Sequence, residues 1–230
     1  MRQALLLLAA LSAPLAAKKA DQPPAICPEP VKPQLFVSPI GEPFRPKGDS
    51  DDPVKRWFDQ ADRDHDGKLT IGEMMLDADR FFARLDQDRS GELLPDEVHA
   101  YEDEVPEIRL YQRRRDPDAE GDRKARQEER AERRKAAKRK PGVPAYDGAM
   151  GAGRYAFLNI PHPVVAADSD VNRAISAAEF RAAAAERFRE LDSSQAKTLL
   201  FASLPKTPAQ LAANEACLAR VREQAKERRR

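Results

Sequence analysis

Asp62-Arg63-Asp64-His65-Asp66-Gly67-Lys68-Leu69-Thr70-Ile71-Gly72-Glu73 decides how this chain is read. Ca²⁺ is a hard cation that takes six to eight oxygens at roughly 2.3–2.6 Å. A twelve-residue loop supplies them from side chains at its first, third and fifth places, a carbonyl at the seventh and a bidentate glutamate at the twelfth. Here Asp62, Asp64 and Asp66 fill the first three places, Lys68 lends its carbonyl, Thr70 binds directly or through water, and Glu73 closes the shell. Gly67 stands at the sixth place, where the chain bends sharply and a side chain would be strained. An acidic turn with no affinity for metal would need all of these coincidences at once.

The pattern recurs three times. Asp86-Gln87-Asp88-Arg89-Ser90-Gly91-Glu92-Leu93-Leu94-Pro95-Asp96-Glu97 offers Asp86, Asp88, Ser90, the Glu92 carbonyl and Glu97; Leu94 at the ninth place leaves that position to water. Asp168-Ser169-Asp170-Val171-Asn172-Arg173-Ala174-Ile175-Ser176-Ala177-Ala178-Glu179 offers Asp168, Asp170, Asn172, the Ala174 carbonyl, Ser176 and Glu179. Arg173 replaces the glycine there, at a cost on the order of 1 kcal/mol for a left-handed residue. The fourth copy, Asp192 to Ser203, has Ala196-Lys197 at the bend and no closing glutamate, and reads as metal-free.

These loops resemble the EF-hand superfamily. The resemblance implies helix-loop-helix units, with Leu69 on a short strand against a partner loop. Asp62 to Asp86 and Asp168 to Asp192 are each about 24 residues apart, the mark of an internal duplication. A continuous helix over the dozen residues between loops would hold them nearly 20 Å apart. Either that linker breaks so that adjacent loops pair, or each unit carries a loop at both ends and pairs with the other. The fuller loop set of the first unit favours pairing within each unit. The expected fold is mainly α: two EF-hand pairs joined by a charged helical linker.

Around the loops the chain divides by composition. Residues 1–17 have a basic start, an apolar run and a small-residue end, the layout of a removable signal peptide, too short to span a bilayer comfortably. Residues 18–53 are proline-rich and read as a strap pressed down by Phe36, Val37, Ile40 and Phe44. Residues 54–105 form the first pair, entered by a helix with Asp52 as its cap and Pro53 in its first turn. Residues 106–153 hold a wet, charge-paired helix from about Asp118 to Lys140, then a flexible Gly148–Gly153 turn. Residues 154–204 form a degenerate second pair, with Pro161 and Pro163 shortening the helix before its first loop. Residues 205–230 open on a Thr207-Pro208-Ala209-Gln210 capping box and carry a narrow stripe of Leu211, Leu218 and Val221.

Acids outnumber bases more than two to one over 49–104, and bases outnumber acids two to one over 109–140. Cys27 and Cys217 can bond to each other, remain thiols or bond another chain; an exported protein would meet an oxidising compartment. Three further stretches, Pro39–Arg45, Arg80-Phe81-Phe82 and Arg154–Pro161, resemble a group of exported bacterial EF-hand proteins, which implies export and no enzymatic role. There is no His-Glu-x-x-His, no Gly-x-Ser-x-Gly and no zinc spacing among His65, His99 and His162. The expected function is calcium binding in the periplasm or outside the cell, as a buffer or a calcium-stabilised module, with calcium ions as ligand and no nucleic acid. The alternatives are a sensor that opens Met74, Met75 and Phe81 to a protein partner, and a polybasic binder of anionic surfaces.

Overall fold

The computed structural model describes residues 25–108, 146 and 148–228. The expected signal peptide and the charged helix lie outside the described residues. In order, the elements are β1 (Phe36–Val37), β2 (Pro43–Phe44), α1 (Pro53–Ala61), β3 (Lys68–Thr70), α2 (Ile71–Leu85), β4 (Glu92–Leu93), α3 (Pro95–Glu104), β5 (Ile175–Ser176), α4 (Ala177–Leu191), β6 (Thr198–Leu200) and α5 (Pro208–Glu227).

Local chemistry starts the helices where the sequence places them. The Asp52 carboxylate accepts from the Val54 and Lys55 amides and Pro53 opens α1, whose Val54, Trp57, Phe58 and Ala61 are buried. Thr70 and Glu73 form a capping box on α2, Ser176 and Glu179 one on α4, and Thr207 and Gln210 one on α5. Pro161 and Pro163 leave only a 3₁₀ turn, Val165–Ala167, before Asp168.

α2 is one unbroken helix of 15 residues, about 22 Å long. It leaves the first loop at Glu73 and delivers the second at Asp86, so these two loops face opposite ends and cannot pair. β3 instead pairs antiparallel with β6, Leu69 opposite Leu199, and β4 pairs with β5, Leu93 opposite Ile175. This overturns the expectation of pairing within each unit. The two repeats interlock: the first loop joins the fourth, the second joins the third, and α2 packs along α4 with Phe180 set against Phe81 and Phe82. The physical reason is that no proline or glycine between Met74 and Leu85 breaks the helix, so each strand finds its partner in the other repeat.

The described part of the proline-rich stretch packs onto the rest of the protein. β1 and β2 form a hairpin, and Phe36, Val37, Ile40 and Phe44 are buried in the common core. All three stretches that carried the finer resemblance meet there. Glu42 of the strap pairs with Arg80, which also holds the buried Asp77; Trp57 Nε1 donates to Asp77 at 3.2 Å. The Val37 amide donates to the Tyr155 carbonyl at 2.9 Å, and Phe157 packs on Phe36 and Trp57.

Two local expectations fail. Gly148–Gly153 is no loose turn, because Gly151, Ala152 and Gly153 are buried in a 3₁₀ turn. A Cβ on Gly151 would sit 2.2 Å from the Pro161 carbonyl oxygen, and its φ of +53° is left-handed, so close packing requires glycine there. On α5 the buried residues are Ala209, Ala212 and Cys217, whereas Leu211 faces solvent. That helix is held by a Cys27–Cys217 disulfide and by the Asn214 side chain, which accepts from the Cys27 amide and donates to the Ala25 carbonyl. Small side chains permit this close approach where a leucine stripe would not.

Candidate metal centre

The first two loops hang between two α-helices, the third follows a 3₁₀ turn and leads into α4, and in the first and third the closing glutamate completes the cap of the helix that follows. In the first loop Asp62, Asp64 and Asp66 bring carboxylate oxygens within 4.8 Å of one another. Asp62 is 4 % exposed; its Oδ2 accepts the Gly67 amide at 2.9 Å while its Oδ1 is buried with no hydrogen-bond partner. A buried carboxylate oxygen without a donor is costly, and a divalent cation is the group that such an acidic ring would satisfy. The residues present therefore fit Ca²⁺.

Glu73 lies outside that ring of three aspartates. Its Oε1 accepts from the Arg63 amide at 3.0 Å and its Oε2 from the Thr70 amide and hydroxyl at 2.9 and 2.7 Å. Burial pushes the Glu73 carboxyl up, but these hydrogen bonds outweigh it and hold the group below the usual range.

The second and third loops draw their closing glutamates into the cluster. Asp86, Asp88 and Glu97 form one group, and Asp168, Asp170 and Glu179 the other. Glu97 accepts from the Gln87 and Leu94 amides. The Ser90 hydroxyl and amide hold the Asp88 carboxyl down. The Ser176 amide, with the Ser169 and Ser176 hydroxyls, lowers the Glu179 carboxyl to about 2. The side chains of Ser90 and Asn172 are engaged within their loops: Ser90 donates to the Glu92 carbonyl, and Asn172 donates to Asp170 and accepts from the Ala174 amide.

The fourth loop has the same course without the donors. In all four loops the fourth and sixth places have positive φ: His65 and Gly67, Arg89 and Gly91, Val171 and Arg173, Gln195 and Lys197. Arg173 is left-handed, at φ 72°, as its place in the loop required. The fourth place was missed because nothing in residues as unlike as histidine, arginine, valine and glutamine marks it. The only signal was the register of the loop itself.

The fold also brings His99 and His162 to the same carboxylate, 3.7 and 3.3 Å from Glu102. His162 Nδ1 accepts the Val165 amide at 3.1 Å, which leaves the proton of the neutral ring on Nε2, facing Glu102. That nitrogen has no lone pair for a metal.

Among the described residues, no helix is long and apolar enough to cross a membrane. No curated protein and no solved structure matches the chain. A family model described as EF hand matches residues 54–76, which is α1, the first loop and the opening of α2. Sequence match and geometry thus converge on residues 54–76, a stretch similar to an EF hand with acidic groups in its loop able to hold a metal ion.

Proposed function

We propose that this protein binds Ca²⁺ through the loops 62–73, 86–97 and 168–179, and that the ions lock its interlocked fold outside the cytosol. The observation that carries the reading is the buried, unpartnered Asp62 Oδ1, which shares a cluster of carboxylate oxygens with Asp64 and Asp66. Asp62, Asp64, Asp66, Thr70 and Glu73, with the Lys68 carbonyl, would hold the first ion. Asp86, Asp88, Ser90, the Glu92 carbonyl and Glu97 would hold the second, and Asp168, Asp170, Asn172, the Ala174 carbonyl, Ser176 and Glu179 the third. A bound ion supplies positive charge that removes the mutual repulsion of these carboxylates and fixes both helices to their loop.

Met74 and Phe81 are wholly buried between the repeats and Met75 is partly buried, a packing that a calcium-stabilised module keeps when the ion is bound. The Cys27–Cys217 disulfide suits an oxidising compartment, where EF-hand modules work at 10⁻⁴ to 10⁻³ M calcium.

Calorimetric titration with Ca²⁺ and Mg²⁺ tests the reading, on the parent protein and on Glu73→Gln, Glu97→Gln and Glu179→Gln. Each substitution should remove one calcium step, with Glu73→Gln removing the tightest. Absence of heat at millimolar calcium in the parent protein would sink the proposal.

A further inference from the structure

The third loop is entered differently from the first two. α1 leads into Asp62 and α2 into Asp86, whereas Asp168 follows a 3₁₀ turn of three residues, Val165–Ala167. So short a turn has few hydrogen bonds of its own and depends on whatever satisfies its first amides. His162 satisfies two of them. Its Nδ1 accepts the Val165 amide at 3.1 Å, and its carbonyl accepts the Ala166 amide at 3.0 Å. The turn then closes as the Ala167 amide donates to the Val164 carbonyl at 3.0 Å and the Asp168 amide to the Val165 carbonyl at 3.1 Å. An imidazole thus takes the place that aspartate, threonine or serine takes ahead of α1, α2, α4 and α5.

A histidine cap differs from those because mild acid removes its acceptor. The neutral ring accepts at one nitrogen and donates at the other, whereas the imidazolium donates at both. Once protonated, Nδ1 would set a hydrogen against the Val165 amide hydrogen. The ring is 7 % exposed and meets the Tyr101 ring edge-on at 5.7 Å. Among the described residues, α3 presents Glu102, whose Oε1 lies 3.3 Å from Nε2, and His99, which approaches the same carboxylate at 3.7 Å. The Tyr101 hydroxyl donates to the Gly41 carbonyl at 2.6 Å, so the strap meets this segment with backbone alone. From α4, Arg187 donates to the neighbouring Pro163 carbonyl at 2.7 Å. The 151–154 turn meets Pro161 through the Ala152 amide, and its Arg154 donates to the Ala149 carbonyl. Burial lowers the affinity of the His162 ring for a proton below the ordinary value of 6.5, and outweighs the opposing pull of Glu102. The closed turn therefore holds the ring neutral.

We propose that His162 is the positioning residue of the third loop and makes calcium binding there acid-sensitive: the neutral ring caps the turn that presents Asp168, and protonation removes the cap. This rests on the calcium-binding reading above. Asp168 shares its cluster with Asp170 and Glu179, so a frayed turn separates the first ligand from the other two. Linkage fixes the sign. The closed turn needs the neutral ring, and an opened turn leaves the ring its ordinary proton affinity, so acid competes with the ion below about pH 6.5 and not well above it. The first and second loops, entered by α-helices, have no such cap.

The test uses the full chain with Glu73→Gln and Glu97→Gln, which leaves 168–179 as the one loop with its closing glutamate. Calcium titrations at about pH 7.5 and about pH 5.5 bracket the histidine range and stay above the ordinary carboxylate range. The Kd should rise severalfold between them, with a ceiling of about tenfold if the ring must lose one proton before the ion binds. His162→Asn, which keeps an acceptor oxygen and does not titrate, should bind alike at both pH values and close to the parental strength at the higher one. His162→Ala should bind weakly at both. His99→Gln should retain the rise. In calcium-free protein the amide resonances of Val165–Asp168 should move with pH in step with the His162 ring, and stay still in His162→Asn.

A pH dependence that persists in His162→Asn or vanishes in His99→Gln would overturn the assignment, as would equal Kd values at the two pH values with His162 in place. If 168–179 takes up no calcium at the higher pH, the calcium-binding reading of that loop fails instead, and the amide resonances still decide whether the ring holds the turn.

Discussion

Phe180→Ala tests the interlocked topology. Phe180 is 2 % exposed, and its ring centroid lies 6.2 Å from that of Phe81 and 5.7 Å from that of Phe82, both in the other repeat. Truncating a buried phenylalanine removes its transfer free energy and leaves a cavity, together about 3–5 kcal/mol. For a body of this size each kcal/mol lowers the melting temperature by about 2–4 °C, so the loss should be on the order of 10 °C. Trp57 is the one tryptophan of the chain and sits on α1, in the opposite repeat from the substitution. Thermal unfolding followed by Trp57 fluorescence and by far-UV circular dichroism should show both midpoints falling together. If the Trp57 midpoint stays at the parental value while part of the helical signal melts early, the repeats fold separately and the cross-pairing is wrong.

Three further outcomes follow from the geometry. Removing calcium with a chelator should lower the melting temperature by roughly 5–10 °C when the ion had been at about a hundredfold its dissociation constant, because such occupancy contributes about 2.7 kcal/mol; an unchanged melt would mean that the ion does not lock the fold. Replacing both Cys27 and Cys217 by serine opens a bridge across 190 positions, and the chain-entropy estimate sets an upper bound near 5 kcal/mol on the loss. Urea unfolding of the parent in a thiol reductant should reproduce the double variant, and equal midpoints with and without reductant would contradict the role given to the bridge. For Glu179, whose carboxyl is held at about 2 against an ordinary value of 4.5, the unfolded chain takes up the proton first. Its contribution in calcium-free protein is therefore complete above about pH 4.5 and is lost as the pH falls toward 2. The stability gap between the parent and Glu179→Gln should close over that interval, and a gap constant across it would show that the serine hydrogen bonds do not favour the carboxylate.

The three acidic clusters were legible because they are local. Aspartates at alternate places, a glycine or its substitute at the bend and a closing glutamate lie within twelve residues, and the backbone course follows from that spacing almost unaided. The same holds for the caps at Asp52, Thr70, Ser176 and Thr207, where one side chain serves amides two or three residues ahead. What the glutamates do before an ion is bound was less legible. Glu73 bonds amides at both ends of its loop, a detail set by the closed conformation and not by residue type.

Which loop pairs with which was undecidable from the chain, because the 24-residue spacing permits either a broken linker or a continuous helix. The tertiary structure settles it through long-range packing: α2 stays whole because its apolar face, Met74, Ala78, Phe81, Phe82 and Leu85, is buried along its full length. A whole helix carries its two loops to opposite ends. The strands at Leu69 and Leu93 are then satisfied only by Leu199 and Ile175, more than eighty residues downstream. The sequence by itself determined where acidic oxygens gather within three of the loops. Tertiary structure alone decided which loops support one another, since a strand's partner depends on which backbone amides and carbonyls packing leaves within reach.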